Sequence, residues 1–288
     1  MHLDRFRIRQ GDERALDRID PDETGPFRDK NAALKHLKTG KVRLEALQEK
    51  LVANDHYSLL LVFQGMDGAG KDSAIKHVLS GVNPQGTDVH SFRQPSTEEL
   101  AHDFLWRAAK VLPARGRIGI FNRSYYEDVV TVRVHPDLVA ARRLPPVLVT
   151  ADLWNERFED INAFERHLTR SGTVVRKFFL HLSRKKQAER LLERLDEPAK
   201  HWKFTPSDLI ERGRWKQYLA AWGGAIAATS HRHAPWYVVP ADHKWFSQAL
   251  IAEVIVEALA SLDLTLAPLS AAAERQMAQA RRALMRRR

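Results

Sequence analysis

The stretch Gly65-Met-Asp-Gly-Ala-Gly-Lys-Asp-Ser73 follows directly on the apolar run Leu59-Leu-Leu-Val-Phe63. Four residues separate Gly65 from the Gly70-Lys71 pair, the spacing of a phosphate-binding loop between a strand and a helix. Gly65, Gly68 and Gly70 let the backbone curl until its N–H groups, from Ala69 through Asp72 and Ser73, converge on one anion. The helix that follows adds the positive end of its dipole, and Lys71 supplies a mobile charge that can follow a phosphate through transfer. Two acids depart from the usual pattern. Asp72 stands where a Ser or Thr hydroxyl would serve magnesium, and Asp67 lies inside the loop. Carboxylates in an anion pocket are unfavourable unless a cation is held there too, so the loop points to metal-assisted phosphoryl transfer. The plain alternative, a glycine turn that merely joins two elements, is disfavoured by the strand before it and the helix after it.

A second group, Phe121-Asn-Arg-Ser-Tyr-Tyr-Glu-Asp128, closes another short apolar run. A phosphate-loop enzyme places its second metal-directed acid at such a strand end. Asn122 is neutral, so Glu127 or Asp128 must supply the charge, while Arg123 can clamp a phosphate through two parallel hydrogen bonds. A capped helix start with ordinary surface charges is the competing reading. The third group is basic: Arg184, Lys185 and Lys186, then Arg190, Arg194, Lys200 and Lys203. It fits a lid that brings cations over a transferring phosphoryl group, or else a solvated charged helix. Arg133 is a further candidate cation.

These groups need a scaffold. Leu34, Leu37, Leu44, Leu47 and Leu51 recur at helical spacing within a helix over Lys30–Leu51. Strands are expected at 58–64, 88–92, 117–122, 173–182 and 236–240. Helices are expected at 71–79, from Ser96 (with Glu99 as a capping box) to about Leu112, at 151–169, 209–228 and 244–262. Thr205 or Ser207 caps the helix over 209–228, with Pro206 in its first turn. Strands alternating with helices imply an α/β chain built on a parallel sheet with helices on both faces, its site at the carboxyl ends of the strands. The divisions are a helical extension over 1–54, a core over 55–264 with a lid at about 183–213, and a basic tail over 265–288. The tail reads as a fraying Ala- and Arg-rich surface helix.

With no cysteine in 288 residues, disulfides and thiolate catalysis are excluded. The sequence contains no His-Glu-x-x-His and no Gly-x-Ser-x-Gly, which sets aside those hydrolase chemistries. No apolar run approaches the roughly 20 residues of a membrane helix, and no apolar segment follows the first residues, so a cytoplasmic enzyme is the expectation. A formal charge of +10 asks for a polyanionic partner. Nucleic acid is set aside because no recognition helix or aromatic platform accompanies the basic runs.

Taken together, Gly65 to Ile75, Phe121 to Glu127, Pro198-Ala-Lys-His-Trp-Lys203 with Asp208 and Trp215, and Val239-Pro-Ala-Asp-His-Lys-Trp245 resemble the polyphosphate kinase 2 family. The resemblance covers about residues 30–262, with its motifs in order. It implies a P-loop kinase fold with a helical lid, transfer of phosphate between inorganic polyphosphate and nucleoside mono- or diphosphates, magnesium (or manganese) as cofactor, and a homodimer or homotetramer. Residue by residue, the family's loop acid falls on Asp67 and its phosphate-binding cation on Lys71. The strand-end arginine falls on Arg123 and a lid arginine on Arg184, with Lys185 and Arg190 beside it. Many members carry a metal-site aspartate where Asn122 stands. The Asn-Arg-Ser-x-Tyr-Glu form resembles the subgroup that accepts both AMP and ADP, in which Glu127 takes on the metal role. The rivals are an ATP-dependent nucleoside or nucleotide kinase on the same fold and a non-catalytic polyanion binder.

Overall fold

The computed structural model describes residues 1–265 and 270–286. Five strands form one wholly parallel sheet: β1 (Ser58–Gly65), β2 (Thr87–Ser91), β3 (Ile118–Asn122), β4 (Thr173–His181) and β5 (Trp236–Pro240), in the order β2-β3-β1-β4-β5. Every residue of β1 from Ser58 to Gln64 is buried, as expected of a central strand covered on both faces. Register decides the site. Phe63 lies opposite Asn122 and Phe178, so the chain leaving β1 and the chain leaving β3 emerge side by side.

The longer helices are α1 (Lys30–Asn54), α2 (Lys71–Val78), α3 (Leu153–Arg170), α4 (Arg184–Asp196), α5 (Ser207–Gly213), α6 (Trp215–Thr229), α7 (Lys244–Ala260) and α8 (Ala271–Arg286). α7 is apolar almost all round because it is enclosed: it touches α1, α2, β4 and β5. Gly40 of α1 faces Ala252 of α7, where an added Cβ would make an ordinary contact at 3.7 Å. Leu37, Leu44 and Leu51 of the expected stripe are buried against this layer, whereas Leu34 is exposed. The N-terminal segment covers the β5 edge: Ile8 N–H donates to the Trp236 carbonyl and Val238 N–H to the Phe6 carbonyl, each at 2.9 Å.

α3 and α6 lie on the side of the sheet to which Lys177 of β4 points. Lys177, fully buried, donates to Glu165 Oε2 of α3 (2.5 Å), the Tyr126 hydroxyl (2.9 Å) and the Thr229 carbonyl (2.8 Å). The Tyr125 and Tyr126 hydroxyls both donate to Glu165 Oε1 at 2.9 Å. This network clamps the turn that leaves β3.

Two expected helices are broken. The Ser96–Glu99 capping box forms, but its helix is only Thr97–Leu100. Asp103 Oδ1 accepts from the amides of Leu105 and Trp106, ending one turn and starting another at Trp106–Ala109. The helix expected over 209–228 is divided at Arg214, whose φ −91° and ψ 16° lie outside the helix. Arg214 donates to the Val134 carbonyl at 2.9 Å, while Arg212 donates to the Arg184 carbonyl, so α5 is tied to α4 and α6 to the core. Neither Thr205 nor Ser207 caps α5: their hydroxyls bond each other at 2.7 Å and Pro206 holds the cap position. The tail helix forms as α8; Arg287 and Arg288 lie outside the described residues.

Candidate active site

At the exit of β1, Gly65 has φ +149°, and a Cβ there would stand 2.8 Å from the Leu180 carbonyl oxygen, so only glycine fits. Gly70, at φ +96°, is the N-cap of α2. The first helical hydrogen bond runs from Ala74 N–H to the Gly70 carbonyl, which leaves the amides of Lys71, Asp72 and Ser73 without helical acceptors. They form the amide rim of an anion seat. Lys71 folds back over the loop and donates to the carbonyls of Gly65 (2.7 Å) and Met66 (3.4 Å). Burial, reinforced by the Arg123 charge, lowers its pKa to about 8, against the opposing pull of Asp67, Glu127 and Asp72.

Helix α4 braces the loop from behind. Arg190 Nη1 donates to the carbonyls of Gly68 and Ala69, both at 2.9 Å, and its Nη2 to those of Ala241 and Asp242. Gln187 Nε2 donates to the Asp67 carbonyl at 2.8 Å, and its Oε1 accepts from Arg212 at 2.8 Å. Arg190 thus spends its guanidinium on four backbone oxygens.

Arg123 sits at the end of β3 in the left-handed region, φ +63°, an uncommon state for a side chain of this size. Its N–H continues the ladder to the Phe63 carbonyl. The guanidinium then reaches both acids, Asp67 Oδ1 at 2.8 Å and Glu127 Oε2 at 3.3 Å, and Glu127 is the stronger influence keeping it charged. Glu127 also accepts from Thr131 Oγ1 at 2.7 Å. The buried Gln64 amide, oriented so that its oxygen accepts from Ser124 N–H, donates to Glu127 Oε1 at 2.9 Å. Asn122 Nδ2 donates to Asp72 Oδ1 at 2.7 Å, so the two departures from the usual motifs partner each other.

Among the described residues no group of three His, Asp or Glu side chains could by itself hold a metal ion. Magnesium does not require one: it takes one or two carboxylates and completes its octahedron with water and substrate phosphate oxygens. Asp67 and Glu127, drawn together by one arginine, fit that demand, and the Asp67 side chain keeps 29% of its surface accessible.

Loop and turn open on a pocket of about 1160 Å³ with two unlike walls. On the β2–β3 side stand Arg93, Arg107 and Arg142 beside the apolar Phe92, Leu100 and Leu138. On the α4 side stand Arg194, Lys200, Lys203 and Lys244 with Trp202, and with them Glu193, which pairs with Lys200 at 2.8 Å. Of the residues expected from sequence, Asp67, Gly68, Gly70, Lys71, Asp72 and Ser73 line this pocket together with Asn122, Arg123, Glu127 and Arg190. Gly65 lines a smaller cavity behind Arg123, and Ala69 is buried. Arg133, Arg184 and Lys185 are exposed and stand outside both linings; the Arg133 guanidinium lies 6.0 Å from the Trp154 ring centre. Arg93, Arg107, Arg142 and Lys244 escaped the sequence reading, since isolated basic residues on helices and loops look like surface charge until the fold gathers them.

The polyphosphate kinase 2 (PPK2) family model matches residues 28–265. An "ADP-polyphosphate phosphotransferase" of Rhodopseudomonas palustris is 44% identical over 283 residues, 98% of each chain. An "AMP/ADP-polyphosphate phosphotransferase" of Meiothermus ruber is 43% identical over 261 residues, 90% of this chain and 94% of that one. The crystal structure of polyphosphate kinase 2 from Arthrobacter aurescens TC1 superposes with a TM-score of 0.84 at 38% identity, covering 95% of this chain and 94% of the other.

Proposed function

The chain belongs to the polyphosphate kinase 2 family, and on that premise we propose that it moves the terminal phosphoryl group of inorganic polyphosphate reversibly to AMP and ADP, with GMP and GDP as further acceptors. The observation that carries this reading is the union of Asp67, Arg123 and Glu127 at the mouth of a glycine loop, inside a pocket basic on both walls.

The terminal phosphate of a nucleotide is already an anionic nucleophile at neutral pH, so no general base is needed. One of its oxygens attacks the terminal phosphorus of polyphosphate. A new P–O bond forms as the old P–O–P bridge breaks, and the leaving group is the polymer shortened by one phosphate. The chain's own contribution is alignment and charge. The amides at the start of α2 and the Lys71 ammonium bind one phosphate, and Arg123 faces the transferring group, its angle set by Asp67 and Glu127. Gln64 and Thr131 hold Glu127, and Arg190 keeps the loop in shape. Magnesium, which Asp67 and Glu127 would hold with Asn122 nearby, supplies neutralisation of phosphate charge. Arg184 and Lys185, at the first turn of the lid, reach the transferring group only when the lid moves. No helix among the described residues is long and apolar enough to cross a membrane; we place the enzyme in the cytoplasm as a homodimer or homotetramer.

Polyphosphate, magnesium and AMP or ADP should give ATP in a luciferase assay, and Lys71→Ala should abolish it. A chain that uses ATP as donor while ignoring polyphosphate would be a nucleotide kinase instead, and that result would sink the proposal.

A further inference from the structure

Directly after Glu127 comes Asp128, whose side chain is only 2% accessible. Its carboxylate is the common anchor of two pocket-lining arginines: Arg142 Nε lies 2.6 Å from Oδ1 and Arg107 Nη2 lies 3.5 Å from Oδ2. Those arginine side chains are 14% and 6% accessible. A third guanidinium, Arg157, donates to the Asp128 carbonyl at 2.6 Å and packs on the Phe104 and Trp154 rings. Arg107 also donates to the Arg93 carbonyl. Asp160 also supports the Arg157 charge, and Glu127 is committed to Arg123 and Thr131. One buried carboxylate therefore answers for Arg107 and Arg142 together, and the wall carries surplus positive charge in a poorly hydrated place. Buried charge is retained when something pairs with it. The missing partner is an anion from the pocket.

The surroundings say which anion. Beside Arg107 and Arg142 lie Phe92, Leu100 and Leu138, an apolar surface suited to a flat base. On the opposite wall Glu193 pairs with Lys200 and Asp208 with Arg194, which leaves Lys203 and Lys244 beside the single ring of Trp202, cations suited to a polymer of phosphate with no apolar part. We propose that Asp128 positions Arg107 and Arg142 as a clamp for a non-transferred phosphate of the acceptor nucleotide, placing that nucleotide on the β2–β3 wall and polyphosphate on the α4 wall. The clamp rests on the nucleotide-acceptor reading above and gives it an orientation. Asp128 is a positioning residue; the two arginines make the contact.

The test is a substrate-by-substrate comparison on the full-length protein. Arg142→Gln should raise KM and Kd for AMP about 10- to 100-fold, the loss of one charge-assisted pair. KM for polyphosphate and Kd for adenosine should stay within about twofold, because neither uses this seat. Asp128→Asn should move the same constants in the same direction; should it fail to fold, Arg107→Gln takes its place. A KM rise confined to polyphosphate would overturn the assignment of walls. Equal losses for AMP and adenosine would reduce the cluster to a structural role, and unchanged AMP constants would remove it altogether. Wild-type activity with polyphosphate is measured alongside. If that is absent while Arg142→Gln still weakens AMP but not adenosine, the clamp stands and the donor reading fails.

Discussion

Replacing Lys71 with methionine should abolish phosphoryl transfer and, at neutral pH, make the ligand-free protein more stable. The side chain is 9% exposed, and its pKa falls from 10.5 to about 8, mainly through burial. That difference sets about 3 kcal/mol against the charged ammonium in the folded state. Methionine keeps the length of the side chain and removes the charge. The loss is the donation to the Gly65 and Met66 carbonyls at 2.7 and 3.4 Å, worth about 1 kcal/mol where pocket water can replace it. The net expectation is a gain of about 1–2 kcal/mol. Its pH dependence carries a signature. Below about pH 8 both folded and unfolded chains hold the proton and the penalty is full. Between about 8 and 10.5 the folded chain sheds it first, so wild-type stability recovers and the advantage of the variant shrinks away. Urea denaturation of both proteins across that range, in phosphate-free buffer, reads the difference directly. A variant less stable than wild type at neutral pH, or a gap that ignores pH, would refute the reasoning.

The same group shapes the rate. Since kcat/KM reports the free enzyme, it should fall above about pH 8 as Lys71 loses its proton, while Lys71→Arg, however slow, should show no such limb in a pH–rate profile. Lys177→Met strands the fully buried Glu165 without its cation and should cost about 3–5 kcal/mol in denaturation, part of it recovered when Glu165→Leu is added, since the Tyr125 hydroxyl then loses its acceptor. Arg190→Met frees four backbone oxygens and should lower stability by about 2 kcal/mol along with activity. Lost activity at unchanged stability would make Arg190 a substrate contact instead of a brace.

Local chemistry made much of this protein legible from its residues. Glycines that alone tolerate the backbone of the loop, a lysine at the start of α2, and the apolar runs of β1, β3, β4 and β5 each announce themselves within a dozen residues, and α/β alternation follows from them. The Ser96–Glu99 box was readable for the same reason, as a contact between neighbours in the chain. Its helix length was missed although Asp103 is as local a signal, since its carboxylate accepts from the amides of Leu105 and Trp106, two and three residues on. Gly213 weakens the helix beside Arg214, but what draws Arg214 out of line is the Val134 carbonyl, 80 positions away. The site divides in the same manner. Residue types proposed Asp67, Arg123 and Glu127, but the β1–β3 register joins them by placing Phe63 opposite Asn122. Arg190 reads as one more lid cation until the loop carbonyls are seen around it. Arg107 and Arg142 carry no local signal, since their meaning lies in a shared buried carboxylate. The sequence by itself determined which chemistry is on offer, because backbone permissiveness and charge are properties of the residues. The tertiary structure decided which charges are spent on the fold and which are left facing the pocket, because burial and pairing exist only between elements distant along the chain.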